Sequence, residues 1–278
     1  MLDKITYTNH LNEKIVLGEF PYFANYSELR DYSWDYTETN NRILSFNKKI
    51  KKYKLPVVIM CKTEAEGFQK RNALFEIMEK DVLAQQYGTL QIGDYKLQCY
   101  VRENKKTDFL ESKKHMKVTL SIVTDRPYWT KEKTYIFNTS GLVNGDASNT
   151  AFLDFSYDFP YDFRNSLEMM EFSNGNFVQT AFRLTIYGAC KNPQVLINGH
   201  AYEIFTTVEE REVLVVDSIE KTIKLIKVDG TIVNQFNLRN KESYIFKKIP
   251  AGDCSLARSD NFRFDLSLIE ERSEPKWT

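Results

Sequence analysis

A chain of 278 residues with 38 Lys and Arg against 38 Asp and Glu carries no net charge, which argues against an autonomous nucleic-acid binder held by phosphate neutralisation. Its 42% hydrophobic and 14% aromatic content, with 16 Tyr and 19 Phe, excludes a disordered chain and leans toward strands. No apolar run approaches the ~18 residues of a transmembrane helix, and the start MLDKITYTNHLNEK lacks the pattern of a signal peptide, so a soluble protein made in the cytoplasm is expected.

The length accommodates two domains of about 140 residues each. Charge is spread unevenly between them: residues 1–137 carry 23 Lys and Arg against 18 Asp and Glu, and the remainder carries 15 against 20. Such a mild asymmetry fits two domains facing different neighbours.

The chain opens on strands, KITYTN and EKIVLGEF, each rich in β-branched and aromatic residues and bounded by Asn or Gly. PVVIMC is a short continuous apolar run and predicts a strand covered on both faces. The lysines before it, Lys48, Lys49, Lys51, Lys52 and Lys54 around Tyr53, admit a nucleic-acid patch or an edge strand guarded by charge; the neutral total favours the edge.

One helix is predicted, over TEAEGFQKRNALFEIMEKDVLAQQYG. Thr63 and Glu66 form a capping-box pair, and Phe68, Phe75, Met78 and Val82 recur at helical spacing, with Leu74 and Ile77 widening the stripe. Glu66 with Lys70 and Glu76 with Lys80 are expected pairs on the wet face, and Gly88 stands just past the end. Two alternating strands then meet at Gly93-Asp94, a tight hairpin, and KVTLSIVTDRPYW is a further strand closed by Pro127.

Residues 138–150, NTSGLVNGDASNT, are small and polar and predict a boundary, giving domains 1–137 and 138–278. The second half holds no persuasive helix. FVQTAFRLTIYG places Val178, Thr180, Phe182, Leu184 and Ile186 on one face, and VLVVDS, KTIKLIKV and TIVNQFNL follow with an Asp229-Gly230 turn. Short strands at such intervals predict an antiparallel sandwich.

Candidate chemistry is sparse. His200 follows Asn198-Gly199, but Val195 and Ile197 before the pair and Tyr202 and Ile204 after it alternate, so Asn-Gly is the centre of a hairpin and His200 begins the return strand. His10, His115 and His200 lie far apart, without metal-ligand spacing. Cys61, Cys99, Cys190 and Cys254 contain no C-x-x-C pair and are read as buried apolar residues. Phosphate-cradling glycine motifs and a G-x-S-x-G elbow are absent. In FLDFSYDFPYDFRNS, Asp154, Asp158 and Asp162 recur every four residues among aromatics; a helix would stack their charges and meet Pro160, so extended or looped chain is expected.

Several stretches together resemble the distal tail protein family of long-tailed phages with non-contractile tails: LRDYSWDY, LPVVI, LFEIMEKDVLA, GTLQIGDYKLQCYV, MKVTLSIVTDRPYW, FPYDF, IYGACKNPQVLING, IPAG and the terminal RSEPKW. The resemblance implies a mainly β fold, with an N-terminal sandwich or barrel-like domain carrying one helix and a projecting hairpin, and a C-terminal galectin-like sandwich. It implies a homo-hexameric ring that joins the tail tube protein to the tail tip or baseplate, where a tail-associated lysin or receptor-binding protein attaches. DNA passes through such a ring without specific binding. The location implied is the tail tip of the virion, with synthesis in the host's cytoplasm, and no membrane is involved. No catalytic, cofactor-binding or metal-binding residue comes with it.

Phe109-Leu110 in the polar run ENKKTDFLESKK is a candidate oligomer contact, or a loop tucked onto its own domain. The alternative function is a carbohydrate-binding module, in which Tyr157, Tyr161 or Trp277 stacks on sugar; a hydrolase would need Asp158 or Asp162 as a working acid.

Overall fold

Alternation of apolar and polar side chains governs almost every element of the computed structural model, which describes residues 4–24, 27–108, 114–138, 141–142 and 169–277. The chain divides into two compact units, Met1–Lys131 with Glu271–Thr278, and Glu132–Glu270. This division differs from the expected break at residue 138 in two places. A continuous strand carries the chain across the boundary, so composition gives no signal there, and the last eight residues return to the first unit.

In the first unit, β1 (Ile5–Thr8), β2 (Lys14–Leu17) and β3 (Tyr22–Ala24) precede a 3-10 turn at Ser27–Arg30. Strands β4 (Asp35–Thr39) and β5 (Arg42–Asn47) form a hairpin of their own, and β6 (Lys51–Met60) leads to the helix α1 (Glu64–Ala84). Then come β7 (Gly88–Ile92), β8 (Tyr95–Asp108), β9 (His115–Thr124) and the start of β10 (Trp129–Asn138). All pairings are antiparallel. The order β2-β1-β7-β8 makes one sheet and β8-β9-β6-β3 the other. Strand β8 serves both, pairing with β7 through Tyr95–Cys99 and with β9 from Tyr100 onward. Ile5, Tyr7, Leu17, Leu55, Leu97, Leu120 and Trp129 are buried in the shared core.

Two details of this unit correct the sequence reading. Strand β6 starts at Lys51 and alternates: Tyr53, Leu55, Val57 and Ile59 are buried, while Pro56 and Met60 are exposed, so it has one covered face rather than two. Its lysines do lie on an edge, since β3 pairs only with Val57–Ile59; the free stretch is partly closed where Lys54 N–H donates to the Glu28 carboxylate at 2.9 Å.

Helix α1 begins as expected, with Thr63 Oγ1 accepting from Glu66 N–H at 3.2 Å. It ends four residues before Gly88, on Gln85 in the left-handed region, and Gly88 opens β7. Glycine is required at position 88 for a different reason. An added Cβ would lie 2.2 Å from Tyr7 Oη and 2.3 Å from Asp81 Oδ2. The buried face of α1 is Gly67, Leu74, Met78 and Asp81, while Phe68 and Val82 are exposed; Lys80 pairs with Glu13 at 2.7 Å rather than with Glu76.

The second unit takes the rest of β10, then β11 (Gly141–Leu142), β12 (Met170–Asn174), β13 (Ala181–Tyr187), β14 (Cys190–Lys191), β15 (Gln194–Ile197) and β16 (His200–Glu203). It continues through β17 (Thr207–Val208), β18 (Val213–Asp217), β19 (Thr222–Ile226), β20 (Ile232–Asn234), β21 (Gly252–Arg258) and β22 (Phe264–Arg272). One antiparallel sheet runs β10-β22-β13-β18-β19-β20 and the other β12-β21-β15-β16. Phe182, Leu184, Ile186, Val195, Tyr202, Val216 and Leu266 fill a separate core. The Asn198-Gly199 hairpin forms as read, both residues at positive φ and Ile197 opposite His200.

Candidate assembly interface

The hairpin of β4 and β5 departs from the alternating burial of the strands around it. Asn40 and Asn41 both take positive φ, 51° and 59°, the conformation of a two-residue turn matched to strand twist, and Asn tolerates it better than other side chains with a Cβ. Tyr36 faces Phe46 across the pair, and the register then steps from Thr37–Ser45 to Glu38–Ile43, leaving Leu44 in a bulge. Among the described residues nothing covers either face: all of β5 and all of β4 but Asp35 are exposed. Leu44 is 67% exposed, and Tyr36, Ile43 and Phe46 are each more than half exposed. A two-stranded sheet is marginal in water by itself, and an apolar one with free edges invites a partner.

Both legs of the hairpin are fixed at its base by one cation. The ammonium of Lys48, just after β5, lies 4.8 Å from the ring centroid of Trp34, just before β4, and 4.3 Å from that of Tyr128. It also donates to the Pro127 carbonyl at 2.9 Å. Trp34 and Tyr128 meet edge to face at 6.3 Å. Burial, reinforced by the neighbouring charge of Lys51, lowers the Lys48 pKa to about 8, an effect that Glu271 partly offsets. Around it, Lys49 approaches Asp35 at 3.6 Å and Lys51 Nζ reaches Ser33 Oγ at 3.5 Å.

A second cluster has the outline of an acid-base pair. Asp81 is fully buried; its Oδ2 accepts from Tyr7 Oη at 2.5 Å, and its Oδ1 receives His10 N–H at 2.8 Å with His10 Nδ1 at 2.5 Å. Burial first, and the bond to Asp81 second, push the Tyr7 phenol far above its ordinary value. Burial likewise pushes the Cys99 thiol up to about 12, so the sulfur at this cluster stays a thiol. With both oxygens occupied, the carboxylate binds α1 to β1 and its following turn; its chemistry is that of a structural pin.

The residues singled out from sequence fall as follows. Phe109, Leu110, Tyr157 and Tyr161, with Asp154, Asp158 and Asp162, lie outside the described residues. Trp277 belongs to the first unit, not to the sandwich of the second half, and one face of its ring is taken by the Arg30 guanidinium at 3.8 Å, whose Nη1 donates to the Pro275 carbonyl at 2.6 Å. His200 Nε2 is 3.0 Å from the Tyr244 carbonyl, which fixes its proton on that nitrogen. His115 sits on β9 opposite Met60. All four cysteines are buried and free. Among the described residues no group of three or more His, Cys, Asp or Glu is placed to hold a metal ion, and no helix is long and apolar enough to cross a membrane.

The resemblance implied a projecting hairpin on the first domain, but sequence reading did not place the β4–β5 hairpin, and it missed the Lys48 clasp and the Asp81 pin. The hairpin had a signal, an Asn-Asn pair between DYTET and RILSF, both rich in strand formers. The other two join residues more than 70 positions apart and left none.

Among the described residues the chain thus builds two antiparallel β-units, the first with one α-helix and an exposed apolar hairpin. No model of a protein family matches the chain, and no curated protein matches it in sequence. Solved structures do match it in fold, over nearly the whole length of both chains. A chain of the phage P2 baseplate in its activated conformation with Ca superposes with a TM-score of 0.61 at 12% identity, covering 99% of this chain and 100% of that one. The same baseplate with Sr gives 0.59 at 12% identity, with 99% and 100% covered. The phage SPP1 Dit (gp 19.1) protein, described as a paradigm of the hub adsorption apparatus in phages infecting Gram-positive hosts, gives 0.57 at 8% identity, covering 96% of this chain and 99% of that one. The chain therefore has the fold of these baseplate and Dit proteins.

Proposed function

We propose that this protein is a structural component of a phage tail, a distal-tail hub located at the tail tip of the virion. The observation that carries the reading is the fold match to baseplate and Dit chains over almost the full length in both directions. In this reading six copies close a ring that joins the tail tube to the tail-tip or baseplate proteins, and DNA passes through it without specific binding. The role is one of assembly rather than catalysis.

A closed ring needs two different surfaces on each subunit, one meeting the other on the next copy. The β4–β5 hairpin supports this requirement, because its exposed Tyr36, Leu44 and Phe46 are the aromatic and aliphatic anchors that interfaces bury at their centres. Light scattering over a concentration series tests the reading. A species near six times 32.6 kDa is the expected result. A chain that stays at 32.6 kDa at all concentrations, alone and mixed with a tail tube protein, overturns it.

A further inference from the structure

The two faces of the β4–β5 hairpin differ in chemistry. Side chains opposite each other across a strand pair share a face, so the register puts Tyr36, Glu38, Ile43 and Phe46 on one side. Asp35, Thr37, Thr39, Arg42 and Ser45 take the other, where Thr37 Oγ1 and Ser45 Oγ meet at 2.5 Å. The first face is thus three large apolar side chains with a single acid, all of them exposed. Elsewhere in the same unit a groove of about 350 Å³ runs between α1 and β8. Phe75, Met78, Val82 and Val101 line it. Glu79 stands on its helix side and Lys106 on its strand side, with the Lys106 ammonium 4.5 Å from the centroid of the Phe75 ring. The side-chain oxygen of Asn104, also in the groove wall, is buried and has no hydrogen-bond partner.

We propose that the apolar face of the hairpin on one copy docks into the α1–β8 groove of the next, with Glu38 against Lys106. Left open, a groove of this size holds several waters, at about 30 Å³ each, against apolar side chains; replacing them with Tyr36, Ile43 and Phe46 removes apolar surface from water on both copies. Charge sets the direction. The hairpin's acid is drawn to Lys106 on the strand side and repelled by Glu79 on the helix side, so one of the two ways of laying the hairpin along the groove is favoured. At the hairpin's tip the exposed Asn40 and Asn41 carry side-chain N–H donors, which is what the Asn104 oxygen lacks. Hairpin and groove are different surfaces of one unit, as a closing ring requires. The inference rests on the ring reading and names the surface that the hairpin meets on the next copy.

Site-directed cross-linking tests it in the full chain. The native cysteines are buried, so introduced thiols are the reactive ones. Phe46→Cys and Val82→Cys chains with different tags are mixed and oxidised with copper phenanthroline; a second pair, Glu38→Cys with Lys106→Cys, is run in parallel. The expected result is a disulfide-linked heterodimer from at least one pair, formed several-fold faster than from Thr37→Cys, on the polar face, with Val82→Cys. Absence of heterodimer from both pairs overturns the inference. So does equal linkage from Thr37→Cys. A charge swap reads the same contact without a cross-link: Glu38→Lys or Lys106→Glu alone should raise the concentration for half-assembly several-fold in light scattering, and the two together should restore it. A double variant that assembles no better than the single ones also overturns the inference. Where wild type still forms the six-copy species, the ring reading survives that failure; where it stays monomeric, alone and with a tail tube protein, both fall.

Discussion

Two hairpins in this protein share their turn chemistry and differ in everything else. The hairpin of β15 and β16 turns on Asn198-Gly199, and that of β4 and β5 on Asn40-Asn41, all four residues at positive φ. Around the first, Val195, Ile197, Tyr202 and Ile204 are sealed into the core of the second unit. Around the second, Tyr36, Ile43, Leu44 and Phe46 lie in the open. A turn decides that two strands pair; burial decides whether the pair is architecture or a surface kept for something else. Substitutions that exploit this contrast separate the two roles.

The largest effect is expected in the sealed hairpin. Tyr202→Ala removes a fully buried ring in edge-to-face contact with Phe182 and a hydroxyl donating to the Lys247 carbonyl at 2.8 Å. It should cost about 3–5 kcal/mol in denaturant unfolding of the second unit. Equivalent truncation in the open hairpin, Phe46→Ala, should stay within about 0.5 kcal/mol. A comparable loss at both positions breaks the contrast.

Next comes Gly88→Ala, which drives a methyl group into the Tyr7–Asp81 pin that anchors α1 to β1 in the open hairpin's own unit. Overpacking of this kind costs about 1–3 kcal/mol, read as a lowered unfolding midpoint of the first unit. An unchanged midpoint would mean that the pin yields at no cost.

A smaller effect concerns the base of the open hairpin and depends on pH. Because Lys48 is held near 8 in the fold, below its ordinary value of 10.5, the unfolded chain binds the proton more tightly across that interval. Its contribution to stability therefore improves as pH rises from about 8. Raised tyrosine and cysteine values act in the opposite sense at higher pH, so the readout is the difference between wild type and Lys48→Met. Wild type should gain on the variant between pH 8 and 9; a constant difference would show that Lys48 does not titrate there. The smallest effect is expected from Asn41→Gly, which relieves a positive φ and should stabilise the turn by a few tenths of a kcal/mol, seen as slower amide exchange in β4 and β5.

Much of the fold was legible because local chemistry and global packing agree in it. Period-two burial located β13 and β15, Asn198-Gly199 and Gly93-Asp94 located their turns, and Thr63 located the start of α1. The legibility failed where residues serve distant partners. Gly88 resembles a helix stop and instead makes room for Asp81 and Tyr7, and the burial of Asp81 turned the expected apolar stripe of α1 away from Val82. The candidate interface was hidden for a related reason. Lys48 and Trp34 acquire their meaning only when Tyr128, some 80 residues later, closes over the same cation.

The central claim, that the exposed hairpin exists for contact between copies, is tested most directly by the mass of a hairpin variant. Light scattering of Leu44→Ser/Phe46→Ser beside wild type, with unfolding midpoints measured on both, should find the wild type near six times 32.6 kDa and the variant at 32.6 kDa with its midpoint unchanged. A variant that assembles to the same mass over the same concentrations as wild type would contradict the account.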